Sequence, residues 1–255
     1  MKTNALRFIA CCFLALCCQA AWAAGNVAYT LGEVSILNRD GEPRGVRKGD
    51  RITAGETIIT GRDGELIMTT DDSGVLSIRP RSRLLIESYQ VNGDGKDSVV
   101  LNLLRGGLRS ITGWISKSAP ENYKLRTRAA TVGIRGTDHE TAIVDEVLNS
   151  GVWNQVTQGS TSFSNAAGTL TQVAGAVSAT ARVRTKDAAP EVTPAPDAIF
   201  FKRSSDAIIE KLRDDAQQNQ ALRLQLRRQQ VAFGGGLTAP SNPRVSTQCA
   251  PNSPA

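Results

Sequence analysis

Short apolar runs alternate with turn residues along the sequence from residue 27 to about residue 183. The runs include VSIL (34–37), VLSI (75–78) and VVLNLL (99–104), and turn pairs such as Asp63-Gly64 and Gly106-Gly107 stand between them. Many short strands at a spacing of about 8–12 residues are typical of a β-sandwich, a barrel or a solenoid. Apolar residues at helical spacing are absent from this region. The pattern therefore predicts an all-β domain over residues 27–183.

The pattern changes after residue 183. Residues 184–198 are rich in Pro and Ala, which predicts a linker. Residues 199–233 are predicted to form a C-terminal helical segment with one α-helix over residues 204–231, because Ile208, Leu212 and Ala216 repeat at four-residue spacing. Ser204 or Ser205 is expected to cap its first amides. Three glycines then end the helix, and residues 234–255 are predicted to be disordered. The helix could pack on the β domain, or it could mediate weak self-association or a partner contact through residues 204–231.

The first 23 residues have the features of a cleavable signal peptide. Lys2 and Arg7 precede an apolar run that ends at Cys18, and Ala21-Trp22-Ala23 has the small-x-small pattern of a cleavage site. The run is shorter than the roughly 20 residues that a membrane span needs. We therefore expect a periplasmic protein that does not span the membrane. Lipid attachment at Cys17 is an alternative that fits poorly, because Leu16 is large.

Charge and cysteine content narrow the classes of partner. Four of the five cysteines lie in the signal peptide, so Cys249 has no internal disulfide partner. Loss of Lys2 and Arg7 lowers the net charge from +6 to +4. The remaining basic residues are scattered among acids and form no basic-aromatic platform, so nucleic-acid binding is not predicted. Attraction to acidic envelope polymers stays open.

Two acidic motifs are candidates for chemistry. Asp138-His139-Glu140 contains the only histidine, but adjacent side chains of a strand face opposite sides of the sheet. One histidine without a structured cysteine cannot complete a typical zinc site. Asp71 and Asp72 are consecutive, whereas acid–base catalysis needs carboxylates across a cleft. Phosphate-binding glycine loops and nucleophile elbows are absent. We expect no enzyme activity, no metal and no cofactor, with His139 incidental.

Short sequence motifs that contain glycine follow one another along residues 27–183, and GIRGT is the most distinctive of them. Their residues include Gly49, Asp50, Gly55, Gly61, Asp72 and the run Gly133, Ile134, Arg135, Gly136, Thr137. Together they resemble the FecR domain of bacterial envelope proteins over residues 27–183. The resemblance implies an all-β domain, solenoid-like or a sandwich, that contacts proteins. Well-known members are membrane-bound sigma regulators that sense an iron transporter, but this chain begins with a signal peptide instead, so that role is not carried over.

Physical roles can be assigned to several of these residues. Gly55, Gly61, Gly64 and Gly74 are expected to adopt positive φ in turns. Asp50 and Asp72 are expected to accept backbone amide hydrogen bonds in those turns. The Arg135 guanidinium could satisfy several carbonyls at neighbouring strand ends, and Arg135→Lys would then lower the unfolding midpoint.

The sequence thus predicts a non-enzymatic periplasmic module that binds or scaffolds another envelope protein. Affinity would come from a β surface or from strand-edge pairing, with the C-terminal helix as a second contact. An alternative is an envelope glycan-binding module that uses Trp114 or Trp153 as a platform. We favour core positions for both tryptophans, because aromatic residues make up only 5% of the chain.

Overall fold

The computed structural model describes residues 23–91, 96–175, 178–200 and 203–232. The strands in these ranges are β1 (Ala23–Leu31), β2 (Val34–Leu37), β3 (Pro43–Gly45), β4 (Arg51–Thr53), β5 (Thr57–Thr60), β6 (Glu65–Thr70), β7 (Val75–Ile78), β8 (Arg83–Gln90), β9 (Ser98–Ile111), β10 (Tyr123–Arg126), β11 (Thr131–Val144), β12 (Gly151–Asn165), β13 (Gly168–Val173), β14 (Ala179–Val183) and β15 (Glu191–Val192). The helices are α1 (Ile115–Ser118), a 3₁₀ turn (Pro120–Asn122) and α2 (Asp206–Ala232). The predicted all-β domain with a C-terminal helix is confirmed. The predicted tail, Cys249 and all but the last residue of the predicted signal peptide lie outside the described residues.

The strands of the described ranges form one hydrogen-bonded sheet. Its main path runs β15-β14-β12-β11-β10-β9-β7-β6-β1-β4, and β13 pairs with β12 beside β14. A side branch, β3-β2-β5-β8, joins the path at β9. Only the β9–β10 pair is parallel among the described pairs. Antiparallel neighbours are typical of a sheet that packs one face on a core and presents the other to solvent.

Three long strands change partners at glycines and so connect two halves of the sheet. The first part of β9 pairs with β8 and β10, and from Gly106 onward it pairs with β7 and β11. The register of β11 with β12 shifts where Gly136 and Gly159 face each other, with φ of +63° and +79°. Positive φ is the conformation that glycine adopts most readily. Leu66 and Leu76 of one half share a single apolar core with Ile58 and Leu84 of the other.

Gly159→Ala is expected to lower the free energy of unfolding by about 2 kcal/mol. Alanine is strained at the positive φ of this position, and its Cβ has no space there. That Cβ would lie 2.0 Å from the carbonyl oxygen of Gly136. Gly41→Ala is the matched control, since Gly41 also has positive φ (+84°) but no atom within 4 Å of a built Cβ. The control should lose about 1 kcal/mol in urea unfolding. Equal losses would show that crowding at the bend is unimportant.

The predicted turn glycines are only partly correct. Gly55 has the expected positive φ of +90°, but Gly61, Gly64 and Gly74 do not have positive φ. Close backbone approach explains two of these three instead. A Cβ on Gly64 would lie 2.0 Å from the carbonyl oxygen of Glu33, and one on Gly74 would lie 2.9 Å from that of Ile111. A local sequence pattern cannot distinguish the two reasons for glycine, since the second depends on a distant strand.

Helix α2 begins at Asp206, two residues after the start of the helix predicted over residues 204–231. Its first turns pack on the outer face of the sheet, where Ile208, Ile209 and Leu212 contact an apolar patch. The patch consists of Tyr29, Ile67, Val75 and Ile111. The structure thus favours the packing interpretation for this part of the helix. The described residues 221–232 are helical and belong to a second unit.

Two details at the start of α2 differ from expectation. The Ser205 hydroxyl is buried and makes no hydrogen bond to the described part of the chain, so it is not the predicted cap. Instead the Asp206 carboxylate accepts a hydrogen bond from the backbone N–H of Arg203 at 2.9 Å. The predicted linker also contains β15, which pairs with β14. No helix in the described ranges has the length and apolar character needed to cross a bilayer.

Candidate functional site

A cluster of charged side chains lies on the outer face of the sheet, beneath the first turns of α2. We call it the arginine cluster. Its members are Arg79, Arg109, Glu65, Asp138 and Glu140 from the sheet, and Asp206 and Glu210 from α2. The strand register explains how the sheet members meet. Glu140 of β11 lies opposite Arg109 of β9, which lies opposite Ser77 of β7, two residues before Arg79.

Arg79 is the centre of this cluster, and its side chain is only 6% exposed. Its Nε and Nη2 donate to the two carboxylate oxygens of Glu140 at 2.8 and 3.1 Å. Its Nη1 donates to Glu65 at 3.2 Å and to Asp206 at 3.0 Å. A planar guanidinium suits such paired contacts better than an ammonium does. One arginine therefore joins two strands to the C-terminal helix.

Arg109 makes a parallel set of contacts. Its Nε and Nη2 donate to Asp138 at 2.9 and 2.6 Å, and Nη2 also donates to Glu210 of α2 at 2.7 Å. Burial raises the pKa of Asp206, but the Arg203 N–H and the two guanidiniums outweigh burial, so this pKa lies below its usual value. Asp138 and Glu210 are both paired with Arg109, and the ionised form of Asp206 is favoured by its neighbours. The cluster is therefore suited to holding acidic side chains of a helix, and it leaves no carboxylate placed as a general base.

His139 lies between the two cluster carboxylates of its motif but faces the interior. The predicted separation of His139 from Asp138 and Glu140 is thus confirmed. Its ring is fully buried, and its Nδ1 lies 3.0 Å from the Thr137 hydroxyl. Burial lowers the pKa of His139 to about 4, although nearby Asp138 acts in the opposite direction. His139 is therefore a neutral part of the sheet interior, which is more than the incidental position expected from the sequence.

The family-motif residues are scattered and do not converge on one site. Gly49 has positive φ (+93°), and Asp50 accepts the Arg47 N–H at 2.9 Å, as predicted for a turn. Gly55 and Gly61 lie in turns of the first half of the sheet. Gly133, Gly136 and Thr137 all lie on β11, where Thr137 donates its N–H to the Thr112 hydroxyl at 2.8 Å. These positions shape turns and bends.

The structure does not support the proposed role of Arg135. Its side chain is exposed on β11, and it makes no hydrogen bond to carbonyls within the described ranges. The backbone bends one residue later, at Gly136, so the strand ends that Arg135 was expected to join lie elsewhere. Arg135→Lys therefore has no structural reason to change the unfolding midpoint.

The two adjacent aspartates enter different environments. Asp72 is buried and accepts hydrogen bonds from the hydroxyls of Thr70 and Tyr89 at 2.6 and 2.5 Å. Burial raises the pKa of Asp72, and these hydrogen bonds oppose the increase. Asp71 is exposed and pairs with Arg51 at 3.2 Å. The two carboxylates therefore share no cleft. The described ranges also contain no group of three or more His, Cys, Asp or Glu side chains that could hold a metal ion.

The tryptophans occupy core or near-core positions, as favoured from the sequence. Trp153 is buried, and its Nε1 donates to the carbonyl of Asn149 at 2.8 Å. The Arg182 guanidinium lies 5.0 Å from the centre of its ring. Trp114 is partly buried against the main core. Trp153 consequently offers no exposed ring on which a sugar could stack.

An open sheet edge is the second notable feature. All six residues of β13 pair with β12, and the other edge of β13 has no partner strand in the described ranges. Thr169, Thr171 and Val173 are exposed, while Leu170 and Gln172 face inward. The strand contains no charged residue and no proline. Natural proteins usually protect sheet edges with such residues.

The comparison with protein families agrees with the sequence resemblance. Residues 56–160 match a family model described as FecR protein. Two crystal structures of a "putative anti-sigma factor" from Parabacteroides distasonis are similar at 13% identity, with TM-scores of 0.41 and 0.42. Each alignment covers 54% of this chain, which spans only 58% of the neighbour's length. No curated protein matches the sequence. Residues 56–160, which include every sheet member of the arginine cluster, are therefore the part of the chain that is similar to FecR proteins.

Proposed function

We propose that this chain is an exported, non-enzymatic module that binds another protein of the bacterial cell envelope. The open edge of β13 is the observation that carries the proposal. An extended segment of a partner can pair with such an edge through main-chain hydrogen bonds, while the alternating side chains of the edge supply specificity. The three exposed side chains of β13 are short or branched, and none of them carries a charge that would oppose an incoming strand.

Two further observations support binding over catalysis. The cluster carboxylates Asp138 and Glu140 each accept two hydrogen bonds from one guanidinium, an arrangement suited to structural pairing. His139 is enclosed by the sheet and has no contact with solvent. FecR domains are known from regulatory proteins, and a binding module fits that setting without requiring contact with a sigma factor. The signal-peptide pattern supports export.

A capture experiment with a charged edge tests the proposal. Tagged mature chain, residues 24–255, is crosslinked in the bacterial envelope as wild type and as the double variant Thr169→Lys/Thr171→Lys. The lysines should abolish capture of a partner, since a charged edge disfavours strand addition. Thr157→Lys is the matched control, because Thr157 is also exposed but lies at the bend of β12, outside the residues that pair with β13.

The outcomes separate the parts of the proposal. Loss of the partner with the double variant and retention with Thr157→Lys would place binding on β13. Equal capture by all three forms would exclude the edge as the binding surface. Export is tested separately by the mass of the protein recovered from the periplasm, which should correspond to a chain that begins at Ala24.

A further inference from the structure

The turn between β11 and β12 presents two apolar side chains to solvent. We call residues 145–150 the hairpin tip. Val147 is 92% exposed and Leu148 is 87% exposed. Single exposed apolar residues are common on protein surfaces, but two adjacent ones at a projecting turn can act as an anchor for binding. The acidic residues Asp145 and Glu146 precede them and are also exposed.

Buried groups hold the backbone of the hairpin tip in place. Trp153 donates from Nε1 to the carbonyl of Asn149 at 2.8 Å. Arg182, only 6% exposed, donates from Nε to the carbonyl of Ser150 at 3.0 Å, and its Nη2 lies 3.5 Å from that of Leu148. A turn held in this way loses little conformational freedom on binding, which favours affinity. The tip therefore combines a fixed backbone with unburied apolar side chains.

A pocket of about 550 Å3 on the same domain is complementary to the hairpin tip, because basic and apolar residues line it. Three arginines line it, Arg62, Arg81 and Arg203, and Leu31 and Pro80 supply apolar surface. Leu31 is 50% exposed. The pocket also contains Asp63 and Glu65, but Glu65 is already paired with Arg79. Cationic groups beside an exposed leucine suit a ligand that carries both carboxylates and an apolar side chain.

The pocket and the hairpin tip lie at the same end of the sheet. The N–H of Arg79, next to the pocket residue Pro80, donates to the carbonyl of Gly107 at 2.9 Å. The neighbouring Gly106 pairs with Ile143, two residues before the tip begins. Because both features are at one end, two molecules can meet there with each offering its tip and its pocket at once. Such reciprocal contacts are those of a two-fold symmetric dimer.

We propose that two copies of this chain associate through this end, with the hairpin tip of each copy entering the arginine-lined pocket of the other. Leu148 and Val147 cover Leu31 and Pro80. Glu146 approaches the guanidiniums of Arg62 and Arg81, while Asp145 stays paired with Arg128. An anionic membrane surface is a less suitable partner for the hairpin tip, because it would repel the acidic residues Asp145 and Glu146. The contact uses neither β13 nor an unknown partner, so it can hold or fail independently of the proposed function.

Analytical ultracentrifugation of purified mature chain, residues 24–255, tests the proposal. A reducing agent is included so that Cys249 cannot crosslink the copies. We expect a monomer–dimer equilibrium, and Val147→Ser/Leu148→Ser should weaken it at least about tenfold. Val173→Ser is the matched control and should leave it unchanged, because Val173 is 65% exposed but lies on β13, which pairs with the far part of β12.

A charge exchange tests the pairing itself. Glu146→Arg and Arg62→Glu should each weaken the dimer, and an equimolar mixture of the two variants should restore association, because both tip–pocket contacts of the mixed dimer then pair opposite charges. A chain that stays monomeric up to about 1 mM overturns the proposal. So does a dimer that the tip variants leave intact, or one that Val173→Ser weakens equally.

Discussion

Replacing Arg79 with alanine is expected to lower the free energy of unfolding by about 3–5 kcal/mol, the usual loss when one partner of a buried ion pair is removed. Glu140 and Glu65 would remain near the sheet without their hydrogen-bonding cation, and Asp206 of α2 would lose its contact at 3.0 Å. The change also removes part of the link between α2 and the sheet. Urea unfolding at pH 7 gives the free energy and its denaturant dependence.

Arg126→Ala is the control for this prediction. Arg126 pairs with Glu87 at 2.6 Å, but the two side chains are 48% and 37% exposed, so the expected loss is about 0–1 kcal/mol. Arg79→Lys should lie between the two, because an ammonium keeps the charge but cannot bind Glu140 through two parallel hydrogen bonds. If Arg79→Ala loses no more than Arg126→Ala, the arginine cluster does not hold the domain together.

Lowering the pH from 6.5 to 4 is expected to destabilise the wild-type chain by about 3 kcal/mol through His139 alone. Burial sets the pKa of His139 at about 4 in the folded protein, against 6.5 for an exposed histidine. As the pH falls, the unfolded chain therefore binds a proton before the folded chain does. The contribution is fully present above pH 6.5, declines between 6.5 and 4, and is absent below this range.

His139→Gln isolates this effect from the acidic groups. Burial raises the pKa of Asp72, so its effect has the opposite sign, and Asp206 has a lowered pKa that matters only below about pH 4. These groups are common to both proteins, so the difference between the two curves of stability against pH reports His139. The wild-type curve should fall more steeply as the pH is lowered. Parallel curves would mean that His139 is protonated in the folded state or accessible to water.

The sequence was sufficient for the class of fold, because alternation of apolar residues and turn pairs is a local signal. It also predicted that Trp153 lies in the core and that His139 faces away from Asp138 and Glu140. The arginine cluster was not predicted, since Arg79 meets Glu140 across 61 positions and Asp206 across 127. Only the strand register brings them together. One signal was present: Asp206 and Glu210 lie four residues apart, which places two carboxylates on one face of the helix.

The long strands that pass through both halves of the sheet have a consequence for cooperativity. β9, β11 and β12 each supply backbone hydrogen bonds to both halves. Opening one half would leave the same strands unpaired in the other, so neither half can open alone at low free energy. Slow amide exchange should therefore extend evenly across the bends. A ligand that stabilises one end of such a domain would therefore also slow amide exchange at the opposite end.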